Sequence, residues 1–227
     1  MTRATHAFAV VVVFALSQAA SAAPARTRAD NMPRGFTWPP SRAMIDAAHA
    51  CEQRLDELGV PWRADKPAGR IVDAIVVPDG QIGGIAFVEP GEHGAVAAPV
   101  MDCQLVLALA TIAPRLYELG VREVRIASAY RWSKVRVMGK TKDLLSRHAL
   151  GLALDVQSVI DRDGREAVIA KDYRRGDQLL AEIEQLIDDS ELFRMVLTPT
   201  NDPISHKDHF HVEANPDYSQ PVDRPAV

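Results

Sequence analysis

Apolar and polar residues follow one another along this chain in two rhythms. The first has steps of three and four. Met44, Ala48, Cys51, Leu55 and Leu58 form such a stripe and predict a helix from the Ser41 cap to Gly59. Leu105, Leu109, Ile112 and Leu116 predict a second helix over 99–119, which Gly120 ends. Pro114 lacks the N–H that a helix interior needs, so a kink or break is expected there. Leu180, Ile183 and Ile187 predict a third helix over 177–190. The second rhythm is strict alternation. It marks strands at 121–127 (VREVRIA), 151–156 (GLALDV), 193–197 and 209–212. The runs 71–77 and 84–88 read as a strand pair around the Asp79-Gly80 turn. The DRDG stretch at 161–164 starts like a calcium loop but lacks the later spaced acids and the closing Glu, so it reads as a hairpin turn. Residues 131–146 are basic and read as a loop, in which Lys134 to Lys142 is a solvated stretch or flanks a groove for an anionic polymer. Together these elements predict an α+β fold: a small, mostly antiparallel sheet with helices on one side.

The chain ends read differently. Arg3 precedes the apolar run Ala7–Leu16, and small residues follow up to Ala22. Such a run is shorter than the ~20 residues of a membrane span and has the three parts of a secretory signal. Residues 1–22 are therefore expected to be a signal peptide, placing the protein in the periplasm or outside the cell without a stable membrane anchor. Residues 23–40 are Pro-rich and read as an exposed linker, 41–215 as one domain, and 216–227 as a tail. With 227 residues, 47% hydrophobic and 25% charged, the chain has the composition of a folded domain, and a monomer is expected. Its net charge of −4 argues against nucleic acid as a partner. Export also changes the reading of Cys51 and Cys103, the two cysteines present. They form either a disulfide between two helices or two separate buried thiols.

The chemistry concentrates in two short stretches. One runs Ser146-Arg147-His148-Ala149-Leu150-Gly151-Leu152-Ala153-Leu154-Asp155; the other is Asp208-His209-Phe210-His211. On a strand, His209 and His211 share one face while Phe210 and Val212 turn to the core. Asp155 stands in an otherwise apolar strand, where an unpaired charge is costly. His148 precedes that strand, and Gly151 permits a tight bend between them. Two imidazoles and a carboxylate make a catalytic zinc set with an open fourth position, where water becomes a usable nucleophile. Asp208 needs a turn or strand start to face the same water. His49 and His93 read as surface residues; His206, three before His209, reads as a solvated turn residue, with an approach to the site as the alternative.

The pattern S-x-H-x-x-G-x-A-x-D followed by H-x-H resembles the lysostaphin, D-Ala-D-Ala metallopeptidase and hedgehog group. The run Asp208-His209-Phe210-His211 in an exported chain resembles most the extensin-like C-terminal domain family, with the resemblance covering 41–215. It implies a hedgehog or D-Ala-D-Ala-peptidase-like fold with Zn2+ held by His148, Asp155 and His211. It also implies Asp208 as general base and His209 beside the metal, stabilising the oxyanion. Ser128-Ala129-Tyr130-Arg131 is similar to the group's S-G-Y-R, which gives Arg131 a substrate carboxylate or carbonyl to bind; the alternative is a structural Arg–carboxylate pair at a strand end. The implied activity is hydrolysis of peptidoglycan peptide bonds, by a D-alanyl carboxypeptidase or an endopeptidase. A non-catalytic cell-wall-binding module that keeps the metal is the alternative.

Overall fold

The computed structural model describes residues 30–66, 68–90, 96–137 and 140–220. The expected signal segment 1–22, His93 and the end of the tail from 221 lie outside the described residues. The first helix, α1 (Arg42–Glu57), starts as its stripe predicts: the Ser41 hydroxyl accepts the Met44 N–H, and Met44, Cys51 and Leu55 are buried. His49 is exposed on it.

The chain then forms short strands β1 (Arg63–Ala64) and β2 (Ala74–Val76), followed by β3 (Gln81–Ile82), β4 (Ile85–Pro90), β5 (Val96–Ala97) and β6 (Met101–Asp102). The expected pairing of 71–77 with 84–88 does not occur. β2 lies between β1 and β6 in a small antiparallel sheet, whereas β4 belongs to the large sheet. The Asp79-Gly80 turn leads into β3, and β3 is the strand that pairs with β4 through the Gly83-Gly84 turn.

The second helix, α2 (Cys103–Glu118), begins later than its sequence suggests because β6 precedes it and Asp102 caps it. The Asp102 carboxylate accepts the N–H groups of Gln104, Val72 and Asp73, tying the cap to the small sheet. Helical structure continues through Pro114 without the expected break. A disulfide joins Cys51 to Cys103, with Cα atoms 6.1 Å apart, and links the middle of α1 to the start of α2. Of the two readings of the cysteines, the bridge is the one found.

The large sheet is completed by β7 (Val121–Ser128), β10 (Ala153–Asp161), β11 (Glu166–Val168), β12 (Phe193–Leu197) and β13 (Phe210–Ala214), in the order β12-β13-β10-β7-β4-β3, with β11 on β10 and β5 on β4. It is antiparallel except between β4 and β7. The DRDG stretch is the turn of the β10–β11 hairpin, where Asp161 Oδ1 accepts the N–H groups of Asp163 and Arg165. Leu154, Val156, Phe210 and Val212 line a shared interior with residues of α2 and of α4 (Gln178–Asp189), the third predicted helix. A short helix, α3 (Ile169–Asp172), follows β11. The fold is thus mixed α+β with a mostly antiparallel sheet, and the opposite face of β10 and β13 carries the polar residues.

Residues 131–146, expected as a loop, contain a separate hairpin, β8 (Lys134–Val137) and β9 (Lys140–Leu145). Its alternation is confined to the four residues Lys134-Val135-Arg136-Val137, and β9 is polar up to Asp143, so the pattern is too short to stand out from a basic loop. Two further expectations change at the ends. Residues 30–36 are not an exposed linker: Pro33 is buried, and Met32 and Phe36 pack against the core. The tail also begins as structure, with Tyr218 buried and its N–H bonded to the Arg34 carbonyl.

Candidate metal centre

Local backbone geometry brings the two motif stretches together. His148 lies in a 3-10 turn, Arg147–Leu150, that Gly151 ends at φ 67°. A Cβ at Gly151 would lie 2.7 Å from the Asp102 nitrogen, so this reversal requires glycine. The chain then enters β10, where Asp155 is the register partner of His211 on β13. Three buried side chains therefore converge. Asp155 Oδ1 lies 2.7 Å from His211 Nδ1 and 3.1 Å from His148 Nε2, and those two nitrogens are 3.2 Å apart.

Each member is aimed from behind. His148 Nδ1 donates to the Ala129 carbonyl at 2.5 Å, leaving Nε2 to face the cluster. Ala129 is itself held by Glu89, which accepts its N–H at 2.9 Å. His211 Nε2 donates to Glu213 Oε1 at 2.9 Å, leaving Nδ1 to face the cluster. Arg131 Nη1 takes Asp155 Oδ2 at 2.6 Å, leaving Oδ1 free to point inward. Glu213 is paired in turn with buried Arg194. Partners of this kind set the tautomer and orientation of metal-ligating groups.

The electrostatics follow from burial working against pairing. Burial pushes the Asp155 carboxyl up, but the hydrogen bonds and charges of His148 and His211 outweigh it and hold the group well below the usual carboxylate range. Burial pushes His211 down, yet its bonds to Asp155 and Glu213 raise it to about 9. His148 is lowered, chiefly by burial. Burial raises the Glu213 carboxyl, and its His211 bond and the nearby Arg194 and Arg147 charges bring it below its ordinary value.

The group His148, Asp155 and His211 can hold a metal ion. Ligands about 2.0–2.1 Å from a tetrahedral cation lie about 3.3 Å from one another, close to the separations found here. Two imidazoles and one carboxylate oxygen, all with lone pairs turned to one point, are the donor set that a borderline-soft divalent cation takes.

The remaining expected residues surround this group. His209 is at the edge of the cluster, its Nε2 3.5 Å from Asp155 Oδ1. Asp208 lies just before β13, as a strand start there requires, and its Oδ1 accepts from His209 Nδ1 at 2.8 Å. Asp208 is mostly exposed and reaches the cluster through His209. Arg131 forms the Arg–carboxylate pair given as the structural alternative, and Ser128 Oγ also accepts from its Nη1. The guanidinium is half exposed and makes no other hydrogen bond among the described residues. His206 is no solvated turn residue. Its side chain is 15% exposed and its ring lies 4.9 Å from that of His211 and 5.1 Å from that of His209. Asp202 fixes it at 3.0 Å, and burial followed by the neighbouring His211 charge lowers it to about 4.

The motif reading missed Glu213, and it placed His206 near the site only as the alternative to a solvated turn. Glu213 carried a signal: it follows His211 by two on a strand and so shares its face. For His206 the spacing of three before His209 allowed both readings, and the way the loop after β12 folds back decides between them.

The cluster lies at the floor of a polar cleft of about 700 Å³ walled by Arg131, β8 and the loop carrying Asp202, Ile204 and His206. These features define a mixed α+β domain with a buried His–Asp–His group beneath an open cleft. Residues 78–221, which hold every member of that group, match the family described as the extensin-like protein C-terminus, and the chain belongs to that family. No curated protein and no solved structure matches the chain.

Proposed function

We propose that this chain is an exported zinc-dependent peptidase that hydrolyses peptide bonds of peptidoglycan. One observation carries the reading: three potential ligand atoms, each fixed from behind by its own partner, turn lone pairs to one point at the floor of an open cleft. Resemblance of the motif stretches to the lysostaphin, D-Ala-D-Ala metallopeptidase and hedgehog group supplies the substrate class. The disulfide supports a periplasmic or secreted location, since such bridges persist in oxidising compartments. Among the described residues no helix is long and apolar enough to cross a membrane.

Bound zinc would polarise the scissile carbonyl and acidify a water. The protein would do the rest. Asp208 holds His209 by Nδ1, so that His209 Nε2 faces the cleft floor as a proton acceptor. Asp208 then acts through His209, which refines its expected role as the base itself. The proton removed from water passes through His209 to the leaving amine, and the hydroxyl ends on the new carboxyl. The exposed side of Arg131 is placed to hold a substrate carboxylate or carbonyl oxygen.

Digestion of purified peptidoglycan with and without a chelator, with mass analysis of the fragments, tests the reading. Metal-dependent release of peptides or D-alanine is the expected result. Asp208→Ala and His209→Ala are expected to retain metal and lose cleavage by about 100-fold or more. The wall-binding alternative draws on the exposure of Asp208 away from the ligands. Intact muropeptides together with wall binding by the metal-loaded protein would favour it.

A further inference from the structure

The outer wall of the cleft is β8, and it lines the cleft in an unusual way. Ser133, Lys134, Val135 and Arg136 all face it, four residues in succession. A strand that presents one face lines a cavity with every second residue, and the register shift between Lys134 and Arg136 accounts for one successive pair but not for four in a row. The β9 residues paired with β8 do not line the cleft, as they would if it lay beneath a face of the hairpin. The cleft therefore runs along the outer edge of β8.

Among the described residues that edge is unpaired: β8 pairs with β9 alone. In an antiparallel pair, every second residue turns its N–H and C=O away from its partner strand. Such an edge is a template for another extended chain. Its direction is set by the site. Arg131 binds Asp155, and Ser133 is joined to Ser146, two residues before His148, so the Ser133 end is nearest the cluster. Arg136, three residues farther out, lies about 10 Å away along the strand. Lys134 is paired with Asp143 at 2.7 Å, whereas Arg136 has no ion-pair partner among the described residues. Ile204, 65% exposed, stands on the opposite wall.

We propose that an extended peptide bearing a carboxylate docks as an added strand on the outer edge of β8, with its acidic group at Arg136 and its chain directed past Ser133 to the His–Asp–His group. The proposal rests on the peptidase reading for its substrate class. It states where the peptide lies and which feature of it is read.

The test is amide hydrogen exchange of the full, zinc-loaded chain with and without soluble stem peptides released from peptidoglycan. Alternate amides within 133–136 are expected to exchange about tenfold more slowly with peptide bound, while those of β9 stay unchanged. Arg136→Ala is expected to weaken binding about two- to fivefold for a peptide with an acidic side chain, and not for its Gln counterpart. Peptide binding without slowed exchange at 133–136 overturns the proposal, and so does the absence of binding at millimolar peptide. Binding with slowed exchange but no cleavage supports the edge while overturning the peptidase reading. Cleavage without slowed exchange does the reverse.

Discussion

Strands β10 and β13 can be viewed from two sides. On one, Leu154, Val156, Phe210 and Val212 pack with the helices α2 and α4. On the other, Asp155, His211 and Glu213 meet His148, Arg131 and Arg194. Both faces are buried. The apolar face is demanding in volume and indifferent to chemistry. The polar face is demanding in chemistry: Oδ1 and Oδ2 of Asp155 have different partners, and so do the two nitrogens of each histidine. Alternation along one backbone assigns residues to the two faces, so a one-residue slip would exchange ligands for core.

Four changes break or sharpen this contrast. Phe210→Ala acts on the apolar face and is expected to cost about 3–5 kcal/mol in urea unfolding, with metal content per folded molecule preserved. Equal loss of metal and stability would erase the distinction between faces. Cys51→Ser with Cys103→Ser acts on neither face. The bridge spans 52 residues of sequence, and its loss is expected to cost about 4 kcal/mol, again without change in metal affinity. Glu213→Gln acts on the polar face, and weakening of metal affinity by about 10- to 100-fold is expected by competitive chelator titration. The smallest effect is one of pH on the metal-free protein. His211 is raised from 6.5 to about 9, so the stability its proton brings is complete below pH 6.5 and lost as pH rises to 9. A bound cation takes the place of that proton, so thermal unfolding of the metal-loaded protein is expected to show no such decline.

Much of this contrast was legible in the sequence. The spacing from His148 to Asp155, the glycine between them and the H-x-H alternation led to the cluster, because each is a local rule about direction. The three long helices were legible for the same reason. The pairing of β2 was not, since adjacency along the chain suggested β4 as its partner while the closing contacts come from β1 and β6. The β8–β9 hairpin was hidden because β8 alternates over only four residues and most of β9 is polar. The place of His206 and the contact between Asp208 and His209 depend on the path of an irregular loop, which no periodicity encodes.

Arg147, beside His148, is fully buried and donates to the backbone carbonyls of Asp30, Asn31 and Ala214 and to Asn215 Oδ1. One guanidinium thus clasps both extremities of the described chain to the turn that presents an imidazole. A shortened version starting at α1 would forfeit two of those acceptors. The stretch ahead of the first helix, though it offers no ligand, is in this sense part of the mounting on which the metal chemistry stands.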